Sequence, residues 1–414
     1  MRKSYLKRVI SSICAIALLI GMNNVVLADT ESQYIELTGI TTAELENYAI
    51  NFSKSYTNND LTVGEITPVY ESDNSLVGYS VSYYDLNGTP YGYINLDFTR
   101  EDPVTEFVIQ KEARSMYSYI EGLVQEEFSY DYDVEEKLYC TNELEYTVSV
   151  TGADNEEFYY NTNDGEMNSS EFHVLKNAER EDAYLETTVE STGSVVYDSH
   201  SELFSKTYQS GSTIVLEPTY TSKYSKSKSL ISETRIKNLT SKYACAVLAL
   251  TEIAYQEGIL LDSSIASTFN ALWSETQTYV LYEKEFGSKM VSYGTTYDSK
   301  LALAMKNYAI AQGKTQTTAS SKSNPAFSFF VNAIDGNYSA TLSYRIYVVD
   351  EEASSGYSKS GHTVNVVGYC TAKKSGTTSK YLIVADGWYS DAPKYINYTS
   401  VDFVNTYGVK YIIK

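Results

Sequence analysis

Histidine is rare in this chain: only His173, His200 and His362 occur in 414 residues, and imidazole is the usual carrier of protons in catalysis near neutral pH. His362 opens an apolar-rich run, His362-Thr363-Val364-Asn365-Val366-Val367-Gly368-Tyr369, that reads as a strand following a loop through Ser354-Ser355-Gly356 to Gly361. A second strand, Tyr381-Leu382-Ile383-Val384-Ala385, stops at Asp386-Gly387, and the Lys-, Gly- and Ser-rich stretch from Thr371 to Ser379 can close the two into a hairpin. In an antiparallel hairpin the start of one strand lies beside the end of the other, which brings His362 and Asp386 to one edge. A carboxylate there can accept the imidazole Nδ1 proton and fix its tautomer. His173 and His200 fall in an acidic stretch and read as surface residues.

A histidine oriented in this way needs a nucleophile. Cys14 lies in the apolar leader, which leaves Cys140, Cys245 and Cys370, too few and odd in number for a disulfide scaffold. Cys370 is eight residues along the strand from His362, some ~26 Å away at about 3.3 Å per residue, so it cannot be the partner. Cys245 can. It begins the run Cys245-Ala246-Val247-Leu248-Ala249-Leu250-Thr251-Glu252-Ile253-Ala254, a strong and mostly apolar helix over 244–255 that is stopped by Gly258. In the first turn of a helix, free backbone N–H groups and the helix dipole favour a thiolate, and a nearby imidazolium would lower its pKa further. Cys140 and Cys370 read as buried thiols.

The elements that must position these groups form an α+β arrangement. Leu45, Tyr48, Ala49 and Phe52 recur at helical spacing behind Thr41-Thr42-Ala43-Glu44, and Tyr- and Val-rich strands over 67–70, 76–84 and 91–98 follow, so a helix on a small meander is expected within 35–115. The acidic stretch from about 120 to 215 has no assignable fold. Thr221 to Ser229 is Lys- and Ser-rich and reads either as a solvated, protease-accessible linker, a candidate domain boundary and maturation site, or equally as an ordinary surface strand. Beyond it, helices over 244–255 and 299–312 precede strands over 342–349, 362–369, 381–385, 395–398 and 409–413. At the other end, Arg2, Lys3, Lys7 and Arg8 precede an apolar run from Val9 to Ile20 and then Val26-Leu27-Ala28, the pattern of a secretory signal peptide over 1–28. The expected organisation is thus a signal at 1–28, an N-terminal region at 29–220 and a chemistry-bearing domain at 225–414.

Composition excludes several classes. A formal charge of −21 argues against nucleic acid and anionic lipid as partners. The apolar leader is shorter than a membrane span needs, so no stable membrane insertion is expected of the mature chain. His-Glu-x-x-His and Gly-x-Ser-x-Gly are absent, and Gly313-Lys314-Thr315 lacks the upstream glycine of a phosphate loop, so neither metal nor cofactor is implied.

The residues around His362 and Asp386 resemble the papain-like cysteine peptidases, whose histidine strand reads His-x-Val-x-x-Val-Gly-Tyr. His362, Val364, Val367, Gly368 and Tyr369 reproduce it, and Asp386-Gly387-Trp388 looks like an Asp variant of the family's Asn-x-Trp. The order Cys, His, Asp agrees. The leader, long pre-domain and C-terminal domain are similar to the bacterial secreted branch of streptopain-type and bacteriocin-leader-type peptidases. The resemblance covers roughly 238–414, well at its ends and poorly in the middle.

This resemblance implies a papain-like fold and a Cys245, His362, Asp386 triad in which Trp388 shields the His-to-Asp contact. It also implies a secreted or cell-surface thiol endopeptidase made as a zymogen, with protein or peptide substrates and its own pro-region as an intramolecular inhibitor. Two departures stand out: no Gln precedes Cys245, leaving Asn238 as the nearest amide side chain for an oxyanion hole, and Ala244 and Ala246 flank the cysteine where relatives carry Gly. A cell-wall amidase or transferase on the same triad, or a catalytically dead surface binding protein, would use the same residues differently.

Overall fold

A computed structural model describes residues 40–71, 74–100, 102–128, 132–142, 144–152, 156–162, 165–169, 172, 215–349, 357–374, 377–399 and 405–414. The leader, His173, His200 and the stretch between them lie outside the described residues.

The N-terminal region begins with α1 (Thr42–Tyr56), where Thr41 and Glu44 form a reciprocal capping box. Strands β1 (Leu61–Glu71), β2 (Leu76–Asp85), β3 (Pro90–Asp97) and β4 (Val104–Ile109) follow as an antiparallel meander. Helix α2 (Met116–Phe128) then leads into β5 (Asp133–Val134), β6 (Leu138–Asn142), β7 (Glu145–Thr151), β8 (Glu157–Asn161) and β9 (Gly165–Met167). The acidic stretch that the sequence left unassigned is therefore in part a continuation of the meander, with β6 parallel to β1. Its strands bury Tyr146, Val148 and Val150 under α2.

The remainder carries β10 (Val215–Tyr220), a single turn α3 (Lys226–Ser229), α4 (Glu233–Thr240), β11 (Lys242–Tyr243), α5 (Cys245–Gln256) and α6 (Ile265–Glu275). After these come β12 (Tyr279–Phe286), β13 (Lys289–Thr295), α7 (Asp298–Ala311), β14 (Thr318–Ser323) and α8 (Phe327–Asp335). The chain closes with β15 (Ser339–Val349), β16 (Tyr357–Lys374), β17 (Thr377–Ala385), β18 (Lys394–Asn397) and β19 (Tyr407–Ile412). The expected α+β class holds: one long, mostly antiparallel sheet runs β14-β19-β15-β16-β17-β18-β4-β3-β2-β1-β6-β7-β8-β9, and a small sheet β11-β13-β12 stands apart.

Two features lie outside what the sequence pattern indicated. First, the N-terminal meander and the C-terminal strands share one sheet, because Ile396 of β18 pairs with Glu106 of β4 and Tyr395 with Phe107. Helix α1 packs across both parts: Phe52 and Ala49 share a core with Tyr381, Ile383 and Cys370. Second, the segment whose composition allows a solvated linker is held down. Its Thr221 N–H bonds the Val367 carbonyl at 3.0 Å, Ser222 bonds Asn337 through both N–H and hydroxyl, and Lys223 pairs with Glu257. The preceding strand β10 is paired with β16 from Val215↔Lys373 to Tyr220↔Gly368, so it is built into the sheet that carries His362. Ser222, Lys223 and Ser229 thus find protein partners, while Lys226 and Ser227 stay exposed.

Candidate active site

Cys245 opens α5 because β11 delivers an extended chain to Ala244 (φ −155°, ψ 122°), after which every residue to Gln256 favours helix or packs inward. Val247, Leu248, Leu250 and Ile253 lock the helix into a core with Tyr411 and Met305. Cys245 itself is half-buried. Its Sγ donates to the carbonyl oxygen of Gly361 at 3.4 Å, next to His362 in the chain. Burial pushes the thiol up to about 11, against main-chain hydrogen bonds from Thr363 and Ala246; the carboxylates of Asp298 and Glu233 add to the rise. The thiol is therefore gripped by the main chain on both sides of the histidine, in its protonated form.

The hairpin of β16 and β17 has the register that the spacing requires, with Asn365 opposite Ala385, and it carries the chain past Asp386 to set Trp388 beside His362. The two rings stack with centroids 3.6 Å apart and planes 16° from parallel, while Tyr344, directly across from His362 on β15, meets the imidazole edge-on at 5.5 Å. His362 is fully buried, and among the described residues neither ring nitrogen has a hydrogen-bond partner; the Asp386 main chain approaches the ring without closing one. Burial pushes the imidazole down to about 3; the Asp386 charge opposes this and the Lys394 ammonium adds to it. The base is neutral.

Asp386 lies at the expected edge, but its carboxylate is engaged elsewhere. Oδ1 accepts the N–H groups of Trp388 (3.1 Å) and Tyr389 (2.9 Å), and Oδ2 lies 2.9 Å from the Lys394 ammonium. The turn depends on Gly387, which has φ +81° and whose absent Cβ would lie 2.5 Å from Leu248 Cδ2. Lys394 in turn lies 3.7 Å from Glu106 Oε2, so a carboxylate of the N-terminal region joins the cluster. Glu106 is fixed through its other oxygen by the Tyr93 hydroxyl (2.7 Å) and the Asn95 amide (3.1 Å). Burial raises its pKa, opposed by Lys394.

Asn238 falls elsewhere. It is exposed near the end of α4 and lines a cavity of about 230 Å³ with Glu126, Glu127, Phe286 and Lys289, whose lining includes neither Cys245 nor His362. Cys370 is buried in the core beneath α1 and Cys140 is half-buried on β6, and among the described residues neither forms a disulfide. No group of His, Cys, Asp and Glu among the described residues could hold a metal ion.

Sequence reasoning missed Lys394, Glu106 and Tyr344. The pairing Tyr344↔His362 follows from strand register, but nothing local marks Lys394 as buried, because its second carboxylate arrives from a distant strand. The N-terminal region covers this side of the sheet: Leu144, at the β6–β7 turn, joins the apolar cluster containing Tyr344, Val364 and Trp388, and the Tyr119 hydroxyl donates to the Trp388 carbonyl. No protein-family model and no curated protein matches the chain.

Proposed function

We propose that the chain is the precursor of a secreted cysteine endopeptidase of papain-like type, with Cys245 as nucleophile, His362 as proton carrier and Asp386 as the group that orients the imidazole. The observation that carries this reading is the meeting of three separate elements. A helix-initial thiol bonds the residue before His362, Trp388 stacks on that histidine, and Asp386 sits two residues before the tryptophan. In the working state the Cys245 thiolate attacks a peptide carbonyl, His362 passes a proton to the leaving amine, and water then hydrolyses the thioester with His362 as base. Main-chain N–H groups of the first turn of α5 are the oxyanion donors in this reading, since Asn238 faces another cavity.

The arrangement described above is the resting state of this proposal. A neutral thiol held by a carbonyl, a neutral buried imidazole and a carboxylate paired to lysine are the opposite of a ready thiolate–imidazolium pair. The N-terminal region, docked along β4, acts as the inhibitor, and the secretory pattern of 1–28 sends the precursor out of the cell. Because β10 is paired with β16, the mature chain begins at or before Val215. The test is limited proteolysis of the purified precursor, followed by N-terminal sequencing and a casein digestion assay. Casein cleavage by the trimmed chain and none by its Cys245→Ala counterpart supports the reading; muropeptide release without casein cleavage transfers the triad to a cell-wall amidase.

A second reading, a catalytically silent binding protein, is favoured by the same neutral, unpaired imidazole. Under it, trimming leaves the Cys245 thiol as unreactive as before.

A further inference from the structure

Lys394 is a buried ammonium between two buried carboxylates that belong to different parts of the chain. Its side chain is 3% exposed, that of Asp386 4% and that of Glu106 fully buried. An ion cluster of this kind costs desolvation, so its members are held to the geometry that satisfies them best. For Asp386 that geometry turns both oxygens to other partners, Oδ1 to two N–H groups and Oδ2 to the ammonium, and neither bonds the imidazole. We propose that Lys394 is the positioning residue that holds Asp386 off His362 while the N-terminal region is docked, with β4, which carries Glu106, as the cover that keeps water from the pair.

The topology supplies the release. In the long sheet, β18 lies between β17 and β4, and among the described residues β4 is the strand that pairs it with the N-terminal meander. When β4 leaves, β18 becomes an edge strand, Lys394 loses Glu106 and meets water, and its pairing with Asp386 falls to the strength of a surface ion pair. Oδ2 then becomes available to His362, and the positive charge that disfavours an imidazolium is screened. The other titratable groups facing this cluster are Tyr93 of β3, Tyr119 of α2, Tyr146 of β7, Tyr243 of β11, Tyr344 of β15, Tyr389 of the turn and Glu252 of α5, the tyrosines all neutral near pH 7 with burial raising their pKa values. Lys394 is thus the cation that decides where Asp386 points.

This inference rests on reading Cys245, His362 and Asp386 as a triad, and its test is separate from any hydrolysis assay. In the full-length chain carrying His173→Gln and His200→Gln, His362 is the only histidine, and its C2–H resonance is followed by NMR from pH 8 to pH 4. With Lys394 in place no titration appears in that window. Lys394→Met brings the inflection into it, a rise of more than one pH unit, whereas Lys394→Arg and Glu106→Gln, which keep a cation on Asp386, leave the resonance silent. A folded Lys394→Met chain in which His362 stays silent overturns the proposal. So does a Glu106→Gln chain that titrates as readily as Lys394→Met, because loosening of the seam alone would then suffice. Should Lys394→Met fail to fold around the stranded Glu106, the Glu106→Gln, Lys394→Met double variant removes both charges, and the same titration decides. Casein cleavage by trimmed protein together with a silent Lys394→Met chain removes this inference alone; the converse removes the peptidase reading alone.

Discussion

The long sheet contains two antiparallel junctions, separated only by the β17–β18 pair, that are built in different ways. Between β16 and β17 the backbones pair continuously from Asn365↔Ala385 to Lys374↔Thr377 apart from one bulge, and both faces are apolar, with Val364, Val366, Leu382 and Val384 on one and Val367, Cys370, Tyr381 and Ile383 on the other. Between β18 and β4 the backbone pairing is brief, and side chains carry the junction. Phe107 stacks on Tyr395 at 4.5 Å, Tyr56, Tyr220 and Tyr395 share hydroxyl contacts, Arg114 pairs with Asp391, and Asp102 receives Ser379 and Asn397. The hairpin is a permanent joint. The seam joins hydroxyls and charges that water can satisfy to a shared core that includes Phe52, Phe107, Tyr381 and Tyr395, so separating it strands few polar groups but bares that core.

The largest test of this contrast is truncation on each side of it. Phe107→Ala removes a fully buried ring that touches Phe52, Tyr56, Tyr381 and Tyr395, a loss of about 3–5 kcal/mol. If the seam is separable, urea unfolding splits into two transitions: Trp fluorescence, from Trp273 and Trp388 on the C-terminal side, and far-ultraviolet circular dichroism, which reports the whole chain, no longer coincide. Leu382→Ala in the hairpin core, at about 2–5 kcal/mol, should instead lower a single transition of the whole chain. One unsplit transition in the Phe107 variant would make the two junctions equivalent.

Acidification gives the next largest effect. His362 has a folded pKa of about 3 against 6.5 when unfolded, so the unfolded chain binds the extra proton and stability falls as pH drops below about 6.5. The loss approaches ~1.4 kcal/mol for each pH unit down to about pH 3. Thermal melts between pH 7 and pH 4 should therefore steepen in the parent relative to His362→Phe; parallel slopes would mean that the histidine is not buried in neutral form.

Smaller changes separate turn from seam. Gly387→Ala places a Cβ against Leu248 at a positive φ, a cost of about 1–3 kcal/mol, and should also shift the near-ultraviolet signal of Trp388. Arg114→Ala removes an ion pair whose members are 39% and 21% exposed, worth roughly 0–1 kcal/mol, so melting should hardly move while salt dependence weakens.

How far the sequence carried this account follows from the distances at which its signals act. Helix α1, strands β2 and β3, the second half of β1 and the β16–β17 hairpin were legible because each is specified by its own residues: the Thr41 and Glu44 box, the turn clusters and the alternation after His362; β4 was not among them. Helix α2 carried a signal as well, with Met116, Ile120, Leu123 and Val124 at helical spacing, but the acidic residues around it drew the reading towards a polar stretch. The neighbourhood of Cys245, His362 and Asp386 was legible for the same local reason. What the thiol, imidazole and carboxylate bind was not, since Gly361, Trp388 and Lys394 hold them through tertiary placement. The packing of 221–229 was not legible, because side-chain composition cannot say whether Lys223 meets water or Glu257.

The measurement that reaches the central claim most directly is the rate of iodoacetamide alkylation of Cys245 at pH 6, in the intact chain and after proteolytic removal of the N-terminal region. The account predicts slow labelling of the intact chain, where the thiol is pushed up to about 11. It predicts a rise of at least a hundredfold on trimming that disappears in His362→Ala, because the thiolate then owes its existence to the imidazolium. Equal, slow labelling of both forms, or a rise that survives His362→Ala, would contradict it.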